Sequence, residues 1–594
     1  MPARPLLTVE DLTIAFGEGR SAVTVVDQVS FALRRGETLA LVGESGSGKT
    51  LTGKALLGIL PRGARIIGGA ALLSDGHGPD IDLLALSDAE LRKVRGGRVS
   101  MIFQEPMSSL SGLHTIGDQV GEAVRLHSDL RGEAVKARCL ETFASVGFPD
   151  PERAFRAYPF ELSGGLRQRA MIAMAMVCRP ALMIADEPTT ALDVTTQATV
   201  LDLIKRLQAE TGMSMVMVTH DLGVVANMAD TVVVMRKGKV VERGPARAVL
   251  TTPGHGYTKK LIAAAPDIPE NLEPRAVPQE DFILRARHLS KTYPGKALGL
   301  GRTAPPVKAV QDVRLEIRRG ETLAIVGESG SGKSTVAKLM LQAERPDPGA
   351  EVLFKGKDGV EVDVAKLSGS ELVKFRRKVQ IVFQDPFSSL SPRMNVRDIL
   401  TEPLRVHGVG TGPEQRERAA MLMERVGLSA DHLQRYPHAF SGGQRQRISI
   451  ARALALGPEL IVCDEPTSAL DVSVQAQVLD LFKEIRDDLG LSYLFISHNL
   501  AVVADLADRV AVMRRGRVVE EGPVKALFTN PVHPYTKALM AASPEPDMDR
   551  PLDLAAVARG AGEPDSWPEP YGYRDEAAPP LLEIAAGHYV RRAA

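Results

Sequence analysis
The chain has 594 residues, 44% of them hydrophobic and 25% charged, an ordinary globular balance that excludes a largely disordered protein. Lysine plus arginine equals aspartate plus glutamate at 73 each, so no global charge favours nucleic acid. Three scattered cysteines, Cys139, Cys178 and Cys463, offer neither a disulfide framework nor a zinc site. No run of ~18 apolar residues is free of charge or proline, which excludes a polytopic membrane protein. The opening MPARPLLTVEDLTIAF is too polar for a signal peptide, so a reduced, cytosolic protein is expected.

The chain is written twice. LALVGESGSGKT (39–50) returns as LAIVGESGSGKS (323–334), and MIFQEPMSSLS (101–111) as IVFQDPFSSLS (381–391). LSGGLRQR (162–169) returns as FSGGQRQR (440–447), and IADEPTTALDV (184–194) as VCDEPTSALDV (462–472). Ser441, Glu465, His498 and Tyr535 each lie 278 positions after Ser163, Glu187, His220 and Tyr257. Solenoids repeat every ~20–50 residues, so this period means a duplicated domain. The first copy is placed at 5–262 and the second at 282–541. Between them, 263–281 carries Pro266, Pro269, Pro274 and Pro278 and reads as a stiff linker. The tail, 542–594, holds the only tryptophan, Trp567, and is expected to be loosely folded or packed on the second copy.

Along each copy, short apolar runs predict buried strands: TLALVG, ALMIAD and SMVMVT, then TLAIVG, ELIVCD and SYLFIS. Helical stretches separate them, as a parallel sheet requires. TVVVMRKGKVVERG (231–244) and RVAVMRRGRVVEEG (509–522) predict hairpins turning at Gly238 and Gly516.

The first chemical motif in chain order is GESGSGKT (43–50), repeated as GESGSGKS (327–334). Both fit GxxxxGK[ST], and each follows a predicted strand and opens a predicted helix. Gly46, Gly48, Gly330 and Gly332 let backbone N–H groups turn inward. With Gly43, Ser45, Ser47 and Leu51, and with Gly327, Ser329, Ser331 and Thr335, they make two phosphate cradles at helix N-termini. Lys49 and Lys333 are placed to reach β- and γ-phosphates, and Thr50 and Ser334 to give a hydroxyl to Mg²⁺. Gln104 and Gln384 are neutral amides that would complete Mg²⁺ and water contacts. Asp186 and Asp464 end predicted strands and suit water-mediated Mg²⁺ binding; Glu187 and Glu465 beside them would polarise the attacking water. His220 and His498 follow 33 residues later, where an imidazole can hydrogen-bond a γ-phosphate. Taken singly, each motif has a bland reading as a turn, a surface amide or a core histidine. Recurrence of all of them in one order favours the chemistry.

That order of phosphate loop, Gln, SGG-x-RQR, Asp-Glu, ALD and His resembles the ATP-binding subunit of an ABC transporter, present twice and covering nearly all of the chain outside linker and tail. The resemblance implies an α/β fold of two tandem P-loop, RecA-like ATPase domains. Each would carry a small antiparallel β subdomain and an inserted helical subdomain, at roughly 90–165 and 368–443. It implies Mg²⁺ with ATP, sandwiched between the phosphate loop of one domain and the SGG of the other. Ser441, Gly442 and Gly443 would complete the site of Lys49, and Ser163, Gly164 and Gly165 that of Lys333. Asp193 and Asp471 would lie across the interface, and Phe16 and Tyr293 would stack on adenine. Pro106, Met107, Pro386 and Phe387 would touch membrane subunits.

PVHPYTKALMAASP (531–544), with its looser copy PGHGYTKKLIAAAP (253–266), is similar to the end segment of oligopeptide/dipeptide importer ATPases, including fused microcin-C and glutathione types. This resemblance implies an ATPase powering import of peptides or related small solutes. It would work with two integral membrane permease subunits and a solute-binding protein, peripherally at the cytoplasmic face of the inner membrane, without nucleic acid. The sequence departs from the pattern at Leu166, at Asn499 and at SGLHT (111–115). The tail lacks the cysteines that hold an iron–sulfur cluster in many relatives, so no cluster is expected. The rival, a tandem ABC ATPase acting in translation or DNA repair, is disfavoured. The linker is short and proline-rich, and neither zinc cysteines nor long coiled coils occur.

Overall fold
A computed structural model describes residues 4–19, 22–74, 79–105, 109–190, 192–269, 272, 281–295, 297–299, 302–303, 305–574 and 578–593. In the first copy a six-stranded sheet runs in the order Val99–Ile102, Leu182–Asp186, Ser214–Thr219, Thr38–Val42, Thr231–Arg236, Lys239–Pro245. All neighbours are parallel except the last pair, which is the expected hairpin. Thr38–Val42, Leu182–Asp186 and Ser214–Thr219 are buried along their whole length, which is why they read as unbroken apolar runs. The second copy repeats the order with Val379–Val382, Leu460–Asp464, Ser492–Ile496, Thr322–Val326, Arg509–Arg514 and Arg517–Pro523.

An antiparallel sheet accompanies each core. Its main strands are Val23–Leu33, Leu7–Phe16 and Ala64–Leu73 in the first copy, and Val307–Arg318, Phe282–Tyr293 and Glu351–Lys355 in the second. The helical subdomains hold Ile116–His127, Glu133–Ser145 and Pro151–Arg156, and Val396–Val406 with Gly412–Arg425. They begin later than the sequence suggested. Val99–Ile102 and Val379–Val382 lie inside the expected inserts, yet both are edge strands of the parallel sheets. Four-residue runs are too short to be told from helix turns by periodicity.

The tail is folded and packs on the second copy, one of the two arrangements expected, and it packs on the first copy as well. Its hairpin Leu581–Ala585/His588–Arg591 adds two strands to the edge strand Arg517–Pro523. Trp567 is buried against His533, Tyr535 and Tyr573 of the second copy and its tail, its Nε1 donating to Gly560 O at 2.9 Å. Ala542 and Val557 form one apolar cluster with Val194 and Ala198 of the first copy. Arg247 makes a forked pair with Asp549 at 2.8 and 3.0 Å, and Leu552 N donates to Asn227 Oδ1 at 3.1 Å. The tail's apolar residues fall in short runs such as LAAV (554–557) and LL (581–582), broken by prolines, glycines and charges, so no period announced these contacts. Most of the expected linker, including Pro274 and Pro278, lies outside the described residues.

Gly223, in the helix Leu222–Met228, shows how closely the tail is laid down. A Cβ there would sit 2.2 Å from Pro544 O. Ala for Gly in a helix normally stabilises by ~1 kcal/mol. Against a backbone oxygen the sign reverses, and Gly223→Ala is expected to destabilise by about 1–3 kcal/mol. Thermal denaturation should show a lower Tm and proteolysis a looser tail; a raised Tm would refute the docking.

Candidate functional site
The strand Thr38–Val42 runs into the glycine loop, which turns into the helix Lys49–Ala55. Gly48 makes that turn at φ 100°, and Gly332 at φ 103° in the second copy, a conformation that only glycine adopts without strain. A Cβ on Gly43 would meet Met235 O at 2.2 Å, and one on Gly327 would meet Met513 O at 2.2 Å. Inside the loops lie Lys49 and Lys333, only 6% and 5% exposed. Lys49 Nζ donates to the carbonyls of Gly43 (2.6 Å) and Glu44 (2.9 Å), and Lys333 Nζ to those of Gly327 and Glu328 (2.8 Å each).

The carboxylates converge on these loops. Thr50 Oγ1 donates to Asp186 Oδ1 at 2.9 Å, and Ser334 Oγ to Asp464 Oδ1 at 3.0 Å. Glu187 and Glu465 follow at φ 48° and 47°, left-handed backbone that costs roughly 1–2 kcal/mol outside glycine. That turn aims each carboxylate at its histidine. His220 Nδ1 lies 2.9 Å from Glu187 Oε1, and His498 Nδ1 3.1 Å from Glu465 Oε2. Gln104 Nε2 donates to Glu187 Oε2 at 2.7 Å and Gln384 Nε2 to Glu465 Oε2 at 2.8 Å, so both glutamines sit on the glutamates and not on the hydroxyl–aspartate pairs. Thr190 Oγ1 adds a bond to Glu187 Oε2 at 2.9 Å; its counterpart Ser468 turns to the Glu465 backbone carbonyl instead.

Ser163 and Ser441 are the N-caps of the helices Gly164–Met176 and Gly442–Leu454, accepting from Leu166 N and Gln444 N. Gly442 and Gly443, like Gly164 and Gly165, are the first residues of those helices. The free N–H ends therefore point outward, as an anion site requires. Phe16 ends the strand Leu7–Phe16 half-buried, and the Tyr293 hydroxyl bonds Glu344. Ser45, Ser47, Leu51, Ser329, Ser331 and Thr335 lie in or just after the two loops. Ser331 Oγ is buried without a partner among the described residues. Pro106 and Met107 lie outside the described residues; Pro386 begins the short helix Pro386–Ser389.

The two copies touch at their loops. Ser45 N donates to Asp471 Oδ1 at 2.7 Å, and Ser473 Oγ to Glu44 Oε1 at 2.7 Å. Reciprocally, Thr195 Oγ1 donates to Glu328 Oε1 at 2.5 Å, and Asp193 acts electrostatically on Lys333. A cavity of about 200 Å³ lies between the two Glu–His pairs, walled also by Pro266 and Pro544. The sequence reading missed Glu44, Glu328, Ser473 and Thr195. Tyr257 and Tyr535 stand out in the sequence by their spacing and within the end segments 253–266 and 531–544, with no role assigned. Their hydroxyls accept from Glu44 N (3.2 Å) and Glu328 N (3.0 Å), tying the end segment of each copy to its own glycine loop.

Burial lowers the pKa of both lysines, against the fields of Glu187, Asp471 and Asp186 on Lys49 and of Glu465, Asp464 and Asp193 on Lys333. Asp186 and Asp464 are raised, burial outweighing their hydroxyl partners. Burial pushes Glu187 up too, but the hydrogen bond and charge of His220, with Thr190 and Lys49, hold it at about 2. Glu465 is lowered in the same way by His498. Burial pulls His220 down, and Glu187 overrides it, leaving the imidazole raised. Hydroxyl and carboxylate oxygens are hard donors of the kind Mg²⁺ takes alongside phosphate oxygens. The orphaned Ser331 hydroxyl and the inward N–H groups suit the phosphates themselves. The residues present fit Mg²⁺ with a nucleotide.

Comparison with known proteins agrees. A family model described as ABC transporter matches residues 26–190 and 310–468, and one described as oligopeptide/dipeptide transporter, C-terminal region, matches 241–288 and 519–565. The glutathione import ATP-binding protein GsiA of Salmonella paratyphi A (strain ATCC 9150 / SARB42) is 43% identical over 618 residues, covering 100% of this chain and 97% of that protein. Its namesake in Escherichia coli (strain K12) is 43% identical, covering 99% and 97%. Among solved structures, a dimeric bacterial ABC transporter cassette is 31% identical over 41% of this chain and 98% of its own, with a TM-score of 0.36. The chain belongs to the ABC transporter ATP-binding family. It is an ABC-type ATPase built of two tandem P-loop domains, and no helix among its described residues is long and apolar enough to cross a membrane.

The Glu187–His220 pair sets a pH window. A raised histidine contributes stability below its unfolded value and loses it as pH rises through the folded one; a lowered glutamate contributes above its unfolded value and loses it as pH falls toward about 2. The pair is therefore fully formed between roughly pH 4.5 and 6.5. Histidine NMR should show His220 titrating above the free imidazole. In Glu187→Gln, burial acts without the carboxylate, and His220 should fall below its wild-type value; an unchanged titration would exclude the pairing.

Proposed function
We propose that the chain is the ATP-hydrolysing subunit of an importer for peptides or glutathione-like small solutes, working through two composite ATP sites. The contact that best supports composite sites is Asp471 on the Ser45 amide, which puts one domain's aspartate on the other's phosphate loop. In this reading the first domain is 5–262, the second 282–541, and 542–594 is the end segment typical of the peptide importers. Gly43, Ser45, Gly46, Ser47, Gly48, Lys49, Thr50 and Leu51 hold the phosphates of one ATP, closed by Ser441–Gly443. Gly327, Ser329, Gly330, Ser331, Gly332, Lys333, Ser334 and Thr335 hold the other, closed by Ser163–Gly165. Phe16 and Tyr293 face adenine.

Mg²⁺, when bound, neutralises phosphate charge; Thr50, Asp186 and Gln104, and Ser334, Asp464 and Gln384, would hold it directly or through water. Glu187 and Glu465, kept ionised by their histidines, accept the hydrogen bond of the attacking water. His220 and His498 hold those carboxylates and face the γ-phosphate. No iron–sulfur cluster is proposed, since all three cysteines lie in the ATPase domains. The partners are two membrane-spanning permeases and, outside the cell, a solute-binding protein. The chain itself would sit peripherally on the cytoplasmic face of the inner membrane. Peptide or glutathione cargo is supported by the end-segment matches and by the relatives' names.

Glu187→Gln with Glu465→Gln should cut ATP turnover by on the order of 100-fold or more while nucleotide still binds, the range removed with a general base. Pairing across the domains is tested by a double-mutant cycle in single-turnover ATPase. Lys49→Ala and Ser441→Arg should be non-additive, because they disable one site. Lys49→Ala and Ser163→Arg should be additive. The reverse pattern would mean that each site closes within its own domain. For the transport role, gentle detergent extraction and mass spectrometry should recover two multi-spanning proteins with this chain. Ribosomal proteins or DNA in their place would overturn importer function and leave the ATP sites standing.

A further inference from the structure
A second cleft, lined by no residue of either phosphate loop, lies where the tail hairpin Leu581–Ala585/His588–Arg591 meets the antiparallel sheet of the second domain. Its volume is about 500 Å³, within the range of small-ligand sites. Six arginines and three carboxylates line it. The carboxylates are already engaged. Glu316 takes Arg285 at 2.6 Å, Glu521 takes Arg509, and Asp312 takes His288 at 2.9 Å. Three guanidiniums make no short ion pair among the described residues. Arg314 is exposed and has no partner among the described residues. Arg318 comes no nearer than 3.8 Å to Glu316, and its Nε is buried with no hydrogen bond. Arg591 is buried, and among the described residues its guanidinium donates to the carbonyls of Val518 (2.8 Å) and Pro579 (2.6 Å). Buried and clustered guanidiniums are costly unless an anion joins them.

The internal repeat supplies a control on the same fold. Where Arg285 pairs across the strands with Glu316, the first domain pairs Thr8 with Ala32. Arg287 stands where the first domain has Glu10, and Arg509, opposite Pro523, where it has Thr231, opposite Pro245. Arg314, beside Leu315, replaces Ser30, beside Phe31. Only Arg318 has an arginine counterpart, Arg34. The first domain also ends its sheet at Lys239–Pro245, among the described residues, with no added hairpin. ATPase chemistry common to both domains therefore does not call for these arginines.

We infer that this cleft is a binding site for a small multivalent anion, carrying two or more carboxylate or phosphate groups, that joins the tail hairpin to the second domain. Guanidinium forks match both groups in bidentate geometry. The site is independent of the proposed transport role. The test is calorimetry on the full chain with both phosphate loops first saturated with MgADP, titrated with citrate and, separately, with pyrophosphate. Saturable binding at one site per chain is expected for at least one. Citrate alone would assign a carboxylate ligand, pyrophosphate alone a phosphate, and both a site that reads charge. Arg314→Ser and Arg314→Ser with Arg285→Thr, which restore the first domain's residues, should weaken binding ~10-fold or more and leave ATP turnover unchanged. Amide exchange over 581–591 should slow with the anion in the wild type and not in the variants. Arg314 is exposed, so the single variant keeps the test valid if the double one misfolds. No binding of either anion at millimolar concentration, or binding untouched by Arg314→Ser, would overturn the inference.

Discussion
Each phosphate loop encloses a lysine that is almost wholly buried, and a buried ammonium must find negative partners. Backbone carbonyls take its hydrogen bonds, but they do not cancel its charge. Part of the compensation comes from the loop's own Asp-Glu pair and part from the other domain, through Asp471 for Lys49 and Asp193 for Lys333. The same aspartates begin long helices, Val194–Thr211 and Val472–Leu489, which carry Thr195 and Ser473 to Glu328 and Glu44. The charge requirement of one buried lysine thus becomes a docking rule between two domains. A nucleotide would satisfy the same requirement more strongly, and its arrival would compete for the same groups.

The two sites are built alike but are not identical. Glu187 is held by His220, Gln104 and Thr190, whereas Glu465 lacks the third bond because Ser468 turns to the backbone. Beside His220 stands Asp221, whose charge helps raise the imidazole; beside His498 stands Asn499. Both side chains cap the following helix in the same way, through the amides two and three residues on, so the exchange keeps the fold and removes one charge. At the SGG helices, Gln444 closes a reciprocal cap on Ser441 that Leu166 cannot make for Ser163. The differences fall on groups around the carboxylate and the helix cap, while the pairs Thr50–Asp186 and Ser334–Asp464 stay equivalent.

Much of this was legible because the motifs carry their own local constraints. A glycine loop must turn left-handed, an Asp-Glu pair must end a buried strand, and an SGG must cap a helix, so residue type and spacing place them without a structure. Contacts made by residues that are ordinary in their own segment were not legible. Ser473, Thr195, Glu44 and Glu328 read as helix or loop polar residues until two domains face each other. The edge strands Val99–Ile102 and Val379–Val382 were too short to carry a period. The tail was hardest, since Ala542, Leu552 and Val557 become apolar contacts only against a helix some 350 residues earlier in the chain. Tyr257 and Tyr535 left a signal in their equal spacing, though nothing in spacing says that their hydroxyls reach a loop amide.

Fusing the domains changes the physics of their encounter. Separate domains would associate at a rate and affinity set by concentration. Within one chain the second encounter is intramolecular, with an effective concentration in the millimolar range for short connections. Here the tail adds a second tether. Ala542 and Val557 pack on Val194 and Ala198, Asp549 pairs with Arg247, and Arg514 of the second domain, which contacts Glu328, donates to the tail carbonyl of Ala561 at 2.8 Å. The tail thus reaches from the second domain's phosphate loop to the first domain's helix after Asp193. It also lies against the helix Leu222–Met228, which follows His220 of the other site, through Pro544 at Gly223 and Leu552 at Asn227. Opening at either site must therefore work against packing outside the phosphate loops. Separation at Lys333 must stretch or release the tail's packing on Val194 and Ala198. Separation at Lys49 must break the contacts of Asp471 and Ser473 together with the packing of the helix Gly256–Ala263 on Val472–Leu489.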